Sequence, residues 1–217
     1  NNEGILLLDG GNFFQGTPLG MLDHGKTMIE WFNRLDYDAI VPGRFDFISG
    51  SSNLNNLINI ADFPFLGANL RCNDCPIISK NLKPYTIQEI KGVKIGILGI
   101  INSKIHDLVL SENLQGVKIL YEKQTLEKWI PVIKKQGAEV IIVLTSSAIP
   151  YDREELYEDF VDGLDTVNNG DKSSLNAIEM GYFSHGADVI VSGGKSKGYR
   201  SLWYDPYSHV YTVQNYG

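Results

Sequence analysis

No run of basic residues and no long apolar run occurs in the 217-residue chain, whose 19 Lys and Arg stand against 26 Asp and Glu for a formal net charge of −7. An acidic balance without a Lys/Arg-rich face argues against a general binder of nucleic acid or of an anionic membrane surface. The longest apolar stretches, such as residues 140–144, fall far short of the roughly 20 residues that cross a bilayer, so no membrane span is expected. The opening residues 1–8 lack the basic segment that begins a signal peptide. Cysteine is scarce. Cys72 and Cys75 form a lone C-x-x-C in a polar stretch, and a zinc site needs about four ligands, which no second pair or suitably spaced histidines supply. A thioredoxin-like role would place the pair at the start of a helix after a strand, whereas Pro76 and its polar neighbours suggest a turn. The pair is read as a small local disulfide or as two idle thiols. Histidine is equally thin: His24, His106, His185 and His209 are scattered without matching partners, and surface or capping roles are expected for them.

What is present is an ordinary globular composition, 43% hydrophobic and 21% charged, long enough for one large domain or two small ones with an ample core. Short apolar runs alternate with helical patterns, as in α/β folds. Strands are expected at residues 5–8, 39–41, 65–70, 86–90, 93–100, 140–144 and 188–191. The 86–90 and 93–100 segments flank Lys91-Gly92 as a hairpin, the second arm apolar enough to be central. Helical spacing links Met28, Trp31, Phe32 and Leu35, then Leu54, Leu57, Ile58 and Ala61, then Leu126, Trp129, Ile130 and Ile133. Residues 151–174 read as a helix followed by a polar surface excursion, and 175–183 as one more helix. A closing hairpin is expected around Asp205-Pro206-Tyr207-Ser208, and its aromatic residues Trp203, Tyr204, Tyr207 and Tyr211 either pack across the strands or stack a base or sugar. No composition break divides residues 1–217, which are read as a single domain.

Open α/β folds bind ligands beyond the carboxyl ends of their strands. The residues there are Asp9 and Asn12 after the first strand, Gly43, Arg44, Phe45 and Asp46 after the second, and Thr145, Ser146 and Ser147 after residues 140–144. Gly193, Gly194, Lys195, Ser196 and Lys197 follow residues 188–191. The Lys195 loop lacks the G-x-x-x-x-G-K-[ST] spacing of a phosphate loop, and that reading is rejected.

Asp9-Gly10-Gly11-Asn12-Phe13-Phe14-Gln15-Gly16-Thr17-Pro18, followed in order by Tyr37-Asp38-Ala39, Gly43-Arg44-Phe45-Asp46-Phe47, Phe63-Pro64-Phe65-Leu66, Gly92-Val93-Lys94-Ile95-Gly96 and Gly193-Gly194-Lys195-Ser196-Lys197, resembles the metallophosphoesterase (calcineurin-like) domain of the 5'-nucleotidase family. The resemblance covers nearly the whole chain. It implies a four-layer α/β/β/α sandwich of two mixed sheets, two divalent metals, hydrolysis of phosphoesters and an exported, periplasmic or cell-surface setting. The family's first motif, D-x-H, and its C-terminal nucleoside-binding domain have no counterpart in this sequence, so base recognition is expected either to be missing here or to be supplied by a partner chain or domain.

The catalytic motifs depart from the family. Asn12 stands at the metal-bridging aspartate, Arg44 at the metal-binding asparagine and Phe45 at the catalytic histidine. Ser146, Lys195 and Lys197 stand at three further histidines. A guanidinium has no acceptor, and a phenyl ring neither ligates a metal nor protonates a leaving group. Hard divalent cations need lone pairs from carboxylates or neutral imidazoles, so neither a dinuclear centre nor any other cofactor is expected, and no family-type turnover. The first expectation is a degenerate domain whose Arg44, Lys195 and Lys197 bind a phosphate, a nucleotide-like ligand or another anion, or instead pair with Asp9 and Asp46. A second is an active hydrolase whose chemistry has moved to Asp9, Asp46 and Ser146, although no base is evident beside Ser146. A third is a purely structural or partner-binding domain.

Overall fold

The computed structural model describes residues 4–16, 18–164, 173–194 and 198–214. In chain order the elements are β1 (Leu8–Asp9), α1 (Pro18–Leu22), α2 (Lys26–Arg34), β2 (Ala39–Ile40), α3 (Gly50–Ile60), β3 (Phe65–Leu66), β4 (Leu70–Cys72), β5 (Leu82–Lys83), β6 (Tyr85–Ile90) and β7 (Val93–Ile100). They continue with α4 (Ile105–Leu108), β8 (Val117–Ile119), α5 (Glu122–Lys135), β9 (Val140–Thr145), α6 (Arg153–Gly163), α7 (Ala177–Phe183), β10 (Val189–Ser192), β11 (Trp203–Tyr204) and β12 (Tyr211–Gln214). A 3-10 turn covers Arg44–Phe47.

Two main sheets result, one ordered β1-β2-β3-β5 and one ordered β11-β12-β10-β9-β7-β6, with β4 and β8 as a separate pair. Side-chain alternation explains how they stack. Along β7, Ile95 and Ile97 face a core that also contains Ile40, Phe65 and Leu66 of the smaller sheet and Ile29, Phe32, Leu54, Leu57 and Ile58 of α2 and α3. The intervening Leu98 and Ile100 face Leu126, Ile130 and Ile133 of α5 and Ile178 and Met180 of α7. The same division places Leu144 with the first core and Ile141 and Val143 with the second. Two sheets face to face, each covered by helices on its outer side, are the four-layer α/β/β/α arrangement.

The β6–β7 hairpin turns through Lys91 and Gly92, both at positive φ (50° and 83°), the backbone that a two-residue turn matching the strand twist requires. β7 is central, antiparallel to β6 and parallel to β9. Residues 65–70 do not form one strand. Buried Asn69 donates through Nδ2 to the Ile101 and Leu120 carbonyls (2.7 and 2.9 Å) and accepts the Ile101 N–H at 2.9 Å. Ala68 N–H reaches the Gly99 carbonyl at 2.8 Å, so the chain leaves the smaller sheet after Leu66 and crosses to β7. Trp31 lies on α2 as its spacing predicts but is 52% exposed, and Ile29 and Phe32 carry the buried face instead. Cys72 and Cys75 are joined as a disulfide with Cα atoms 5.3 Å apart. The polar excursion of residues 165–172 lies outside the described residues.

Candidate functional site

The ends of β1, β2, β9 and β10 meet through glycines: Gly10-Gly11 directly follow β1 and Gly193-Gly194 directly follow β10, and these four press on one another and on the backbone after β2 and β9. A Cβ on Gly10 would clash with the Cα of Gly193 and lie 2.7 Å from its amide nitrogen, and one on Gly11 would lie 2.6 Å from the Val41 carbonyl oxygen. A Cβ on Gly194 would lie 2.6 Å from the Ser146 carbonyl oxygen. Gly193 N–H also donates to the Thr145 carbonyl at 2.9 Å, so the β1 and β10 loops, from different sheets, touch backbone to backbone above β9.

Asp46 organises the centre. It is fully buried, and its carboxyl accepts three backbone N–H groups, those of Asn12 and Gly43 at 2.7 Å and that of Phe13 at 3.1 Å. The Gly43 bond closes the 3-10 turn from within, and the other two clamp the β1 loop onto it. Asn12 adopts a left-handed backbone (φ 67°), which asparagine tolerates. Its Oδ1 accepts the Phe45 N–H at 3.0 Å. Gly43 is pressed against that amide: a Cβ there would lie 2.7 Å from Asn12 Cγ. Asp9 accepts the Gly11 N–H at 2.7 Å.

Arg44 is exposed and lays its guanidinium 4.3 Å above the Phe45 ring. Among the described residues it forms no ion pair with Asp9 or Asp46, so the expected pairing is not made there. The reason is local: Asp46 points inward to the N–H groups, while the 3-10 turn sends Arg44 outward. Ser146 is buried, and its Oγ accepts the Asn102 N–H at 3.0 Å. Lys195 and Lys197 lie outside the described residues.

Sequence reasoning missed the support beneath Ser146. Glu122, fully buried at the start of α5, accepts Ser103 N–H (2.7 Å), Ser103 Oγ–H (3.0 Å) and Leu175 N–H (3.2 Å). Asn102 Oδ1 accepts from Ser174 Oγ at 3.1 Å, joining the same network. Asn102 lies just past the end of β7, a strand end the sequence reading left off its set of loops, and one glutamate opening an amphipathic helix carries no signal of burial. Three histidines bond locally: His24 Nδ1 to Ser49 Oγ (3.0 Å), His106 Nε2 to Ile119 N–H (3.1 Å) and His209 Nδ1 to Tyr204 OH (2.6 Å).

Burial lifts the Asp9 carboxyl to about 6, against the Gly11 N–H that lowers it. Asp46 is pushed up to about 8, first by burial and further by the Asp9 charge, against its three N–H groups. Burial raises Glu122 as well. The folded chain therefore keeps protons that unfolded carboxyls release near 3.8, and this stability, fully present below about pH 4, is lost as pH rises through 6 and then 8. The melting temperature is expected to fall across that window. Asp9→Asn, which keeps an oxygen for the Gly11 N–H, should remove the lower part of the fall, and a flat wild-type profile would contradict the assignment.

Among the described residues, no group of three or more His, Cys, Asp or Glu side chains comes together to hold a metal ion, and no helix is long and apolar enough to cross a membrane. No family model matches the chain. Snake venom 5'-nucleotidase of Gloydius brevicauda is 31% identical over 173 residues, covering 78% of this chain and 29% of the relative. The chain thus spans under a third of that protein's length. The crystal structure of a 5'-nucleotidase precursor from Thermus thermophilus superposes with a TM-score of 0.76 at 21% identity, covering 100% of this chain and 40% of the other. That of the calcineurin-like phosphoesterase YfkN from Bacillus subtilis gives 0.71 at 25% identity, covering 96% and 66%. In sequence over most of its length and in fold throughout, the chain resembles the N-terminal, calcineurin-like metallophosphoesterase domain of the 5'-nucleotidase family.

Proposed function

We propose that the chain is a catalytically degenerate 5'-nucleotidase-family domain, a pseudo-phosphoesterase that binds a phosphate or a related anion at the strand ends without metal. One observation carries this reading: the donor atoms at the strand ends are spent on the protein's own backbone. Asn12 Oδ1 is taken by Phe45 N–H, and both oxygens of Asp46 are taken by three N–H groups. A dinuclear centre needs several free lone pairs converging from carboxylates or imidazoles. These residues do not fit one. Arg44, exposed beside the loop, offers its guanidinium fork to an anion, with Lys195 and Lys197 completing the cationic site in this reading.

Recognition of a nucleoside then falls to another domain or to a partner chain, in keeping with the greater length of the relatives. Export is part of the same proposal, supported by a venom protein among the relatives and by the Cys72–Cys75 disulfide, a bond that persists in oxidising compartments.

The test combines metal analysis of the purified protein, turnover of a generic phosphoester with added zinc or manganese, and thermal shift with inorganic phosphate and nucleoside monophosphates. Expected are substoichiometric metal, no turnover above blank, and a rise of about 3 °C or more at saturating phosphate that is lost in Arg44→Ala. Stoichiometric metal, or hydrolysis abolished in an Asp46 variant, would overturn the non-catalytic reading. The absence of any shift at millimolar phosphate would overturn anion binding.

A further inference from the structure

A groove lined by none of the Asp46-loop residues lies between α6 and the closing hairpin, with a volume of about 530 Å³, within the range of small-molecule sites. One wall is aromatic, built from Tyr157, Trp203, Tyr204 and Tyr207. Its rings are braced from behind. Trp203 stands edge-on to Tyr157 with centroids 5.0 Å apart, Tyr207 packs on Tyr182 at 5.0 Å, and Tyr204 packs across the hairpin on Tyr211 at 5.1 Å. The Tyr157 hydroxyl donates to buried Asp205, whose other oxygen accepts the N–H groups of Tyr207 (3.0 Å) and Ser208 (2.8 Å). Tyr204 and Tyr207 nevertheless remain 46% and 52% exposed, a fixed aromatic surface open to solvent.

The facing wall is α6, which brings Glu154, Glu158 and Asp162 to the groove. Their spacing of four residues sets all three on one side of the helix. Glu154 pairs with Arg153 at 2.8 Å. Among the described residues, neither Glu158 nor Asp162 has a cationic partner. The fold already sets one cation beside this aromatic wall: the Arg153 guanidinium lies 5.7 Å from the Trp203 ring and 5.4 Å from the Tyr199 ring.

Aromatic faces carry negative charge density and attract cations, and two carboxylates on the facing wall, without a cationic partner among the described residues, add to that field. A nucleotide or sugar phosphate stacked on these rings would instead bring its anion against Glu158 and Asp162, which removes the stacking of a phosphorylated base or sugar as the role of this segment. We infer that the groove binds a small organic cation, an alkylammonium group whose apolar substituents rest on Trp203, Tyr204 and Tyr207 while its charge faces Glu158 and Asp162. The site is independent of the strand-end reading and stands or falls separately.

The test titrates choline into the protein at constant ionic strength, following indole and amide resonances by NMR, with 3,3-dimethylbutan-1-ol as the uncharged isostere. Saturable shifts at the groove are expected with choline, with the isostere at least about fivefold weaker. Glu158→Gln combined with Asp162→Asn, both exposed positions, is expected to weaken choline about fivefold with an unchanged melting temperature. Tyr207→Ala should weaken it further, and dispersed spectra in each variant certify folding. Equal binding of the isostere, binding unchanged in the double variant, or no shifts up to about 50 mM choline would overturn the proposal. So would groove shifts produced by a basic peptide but not by choline.

Discussion

Replacing Asp46 with alanine is expected to destabilise the fold by about 3–5 kcal/mol, because three backbone N–H groups at the centre of the site lose their acceptor at once and each buried orphan costs about 1–3 kcal/mol. The loss is large because all three bonds serve different segments: Gly43 starts the 3-10 turn, while Asn12 and Phe13 belong to the β1 loop. Removing the carboxyl relieves little charge. With its pKa pushed up to about 8, the group is mostly protonated near neutrality. Asp46→Asn should fall between wild type and alanine, since one oxygen can still accept two N–H groups while the new amide donor opposes the third, at about 1–3 kcal/mol. Denaturant unfolding measures both. An alanine variant within about 1 kcal/mol of wild type would contradict this organising role of Asp46.

Gly10→Ala is expected to cost about 3 kcal/mol or more, beyond the ordinary range of core overpacking, because the added carbon meets backbone rather than a side chain that can rotate away. It would clash with Gly193 Cα and lie 2.7 Å from Gly193 nitrogen, in a segment anchored to Thr145. The two sheets would have to part at the site. Gly193→Ala addresses the same contact from the other side, where its Cβ would lie 2.6 Å from the Gly10 carbonyl carbon. The double variant should therefore cost less than the sum of the singles by about 1 kcal/mol or more. Gly92→Ala is the control: its φ of 83° strains alanine, but nothing lies within contact distance, so only about 1 kcal/mol is at stake. Additive costs at Gly10 and Gly193 would mean that the two positions act separately.

The elements that were legible beforehand are those whose pattern has a local cause. Lys91-Gly92 between two apolar arms is a hairpin in the sequence and in the structure, since turn chemistry acts over a few residues. The helical spacings gave α2, α3 and α5 within a residue or two. Residues 65–70 misled because six residues of suitable composition satisfy a strand equally well in one sheet or in two. The bonds of Ala68 to Gly99 and of Asn69 to Ile101 and Leu120, all distant in sequence, break the run. Trp31 misled because helical spacing fixes which residues share a face but not how wide a stripe the neighbouring elements cover.

For the candidate site, the sequence by itself determined the chemistry on offer: the amide of Asn12, the guanidinium of Arg44, the phenyl ring of Phe45 and the hydroxyl of Ser146. It also placed these residues at strand ends, since strand ends follow from local pattern. Tertiary structure alone decided what the groups do there. Hydrogen bonds such as Asn12 to Phe45 and Asp46 to Phe13 span more than thirty residues, and no periodicity encodes whether a carboxyl turns toward a ligand or toward backbone N–H groups. The same holds for the groove beside α6, where an acidic helix face and an aromatic hairpin, each unremarkable in sequence, acquire a joint chemistry only because the chain returns one against the other.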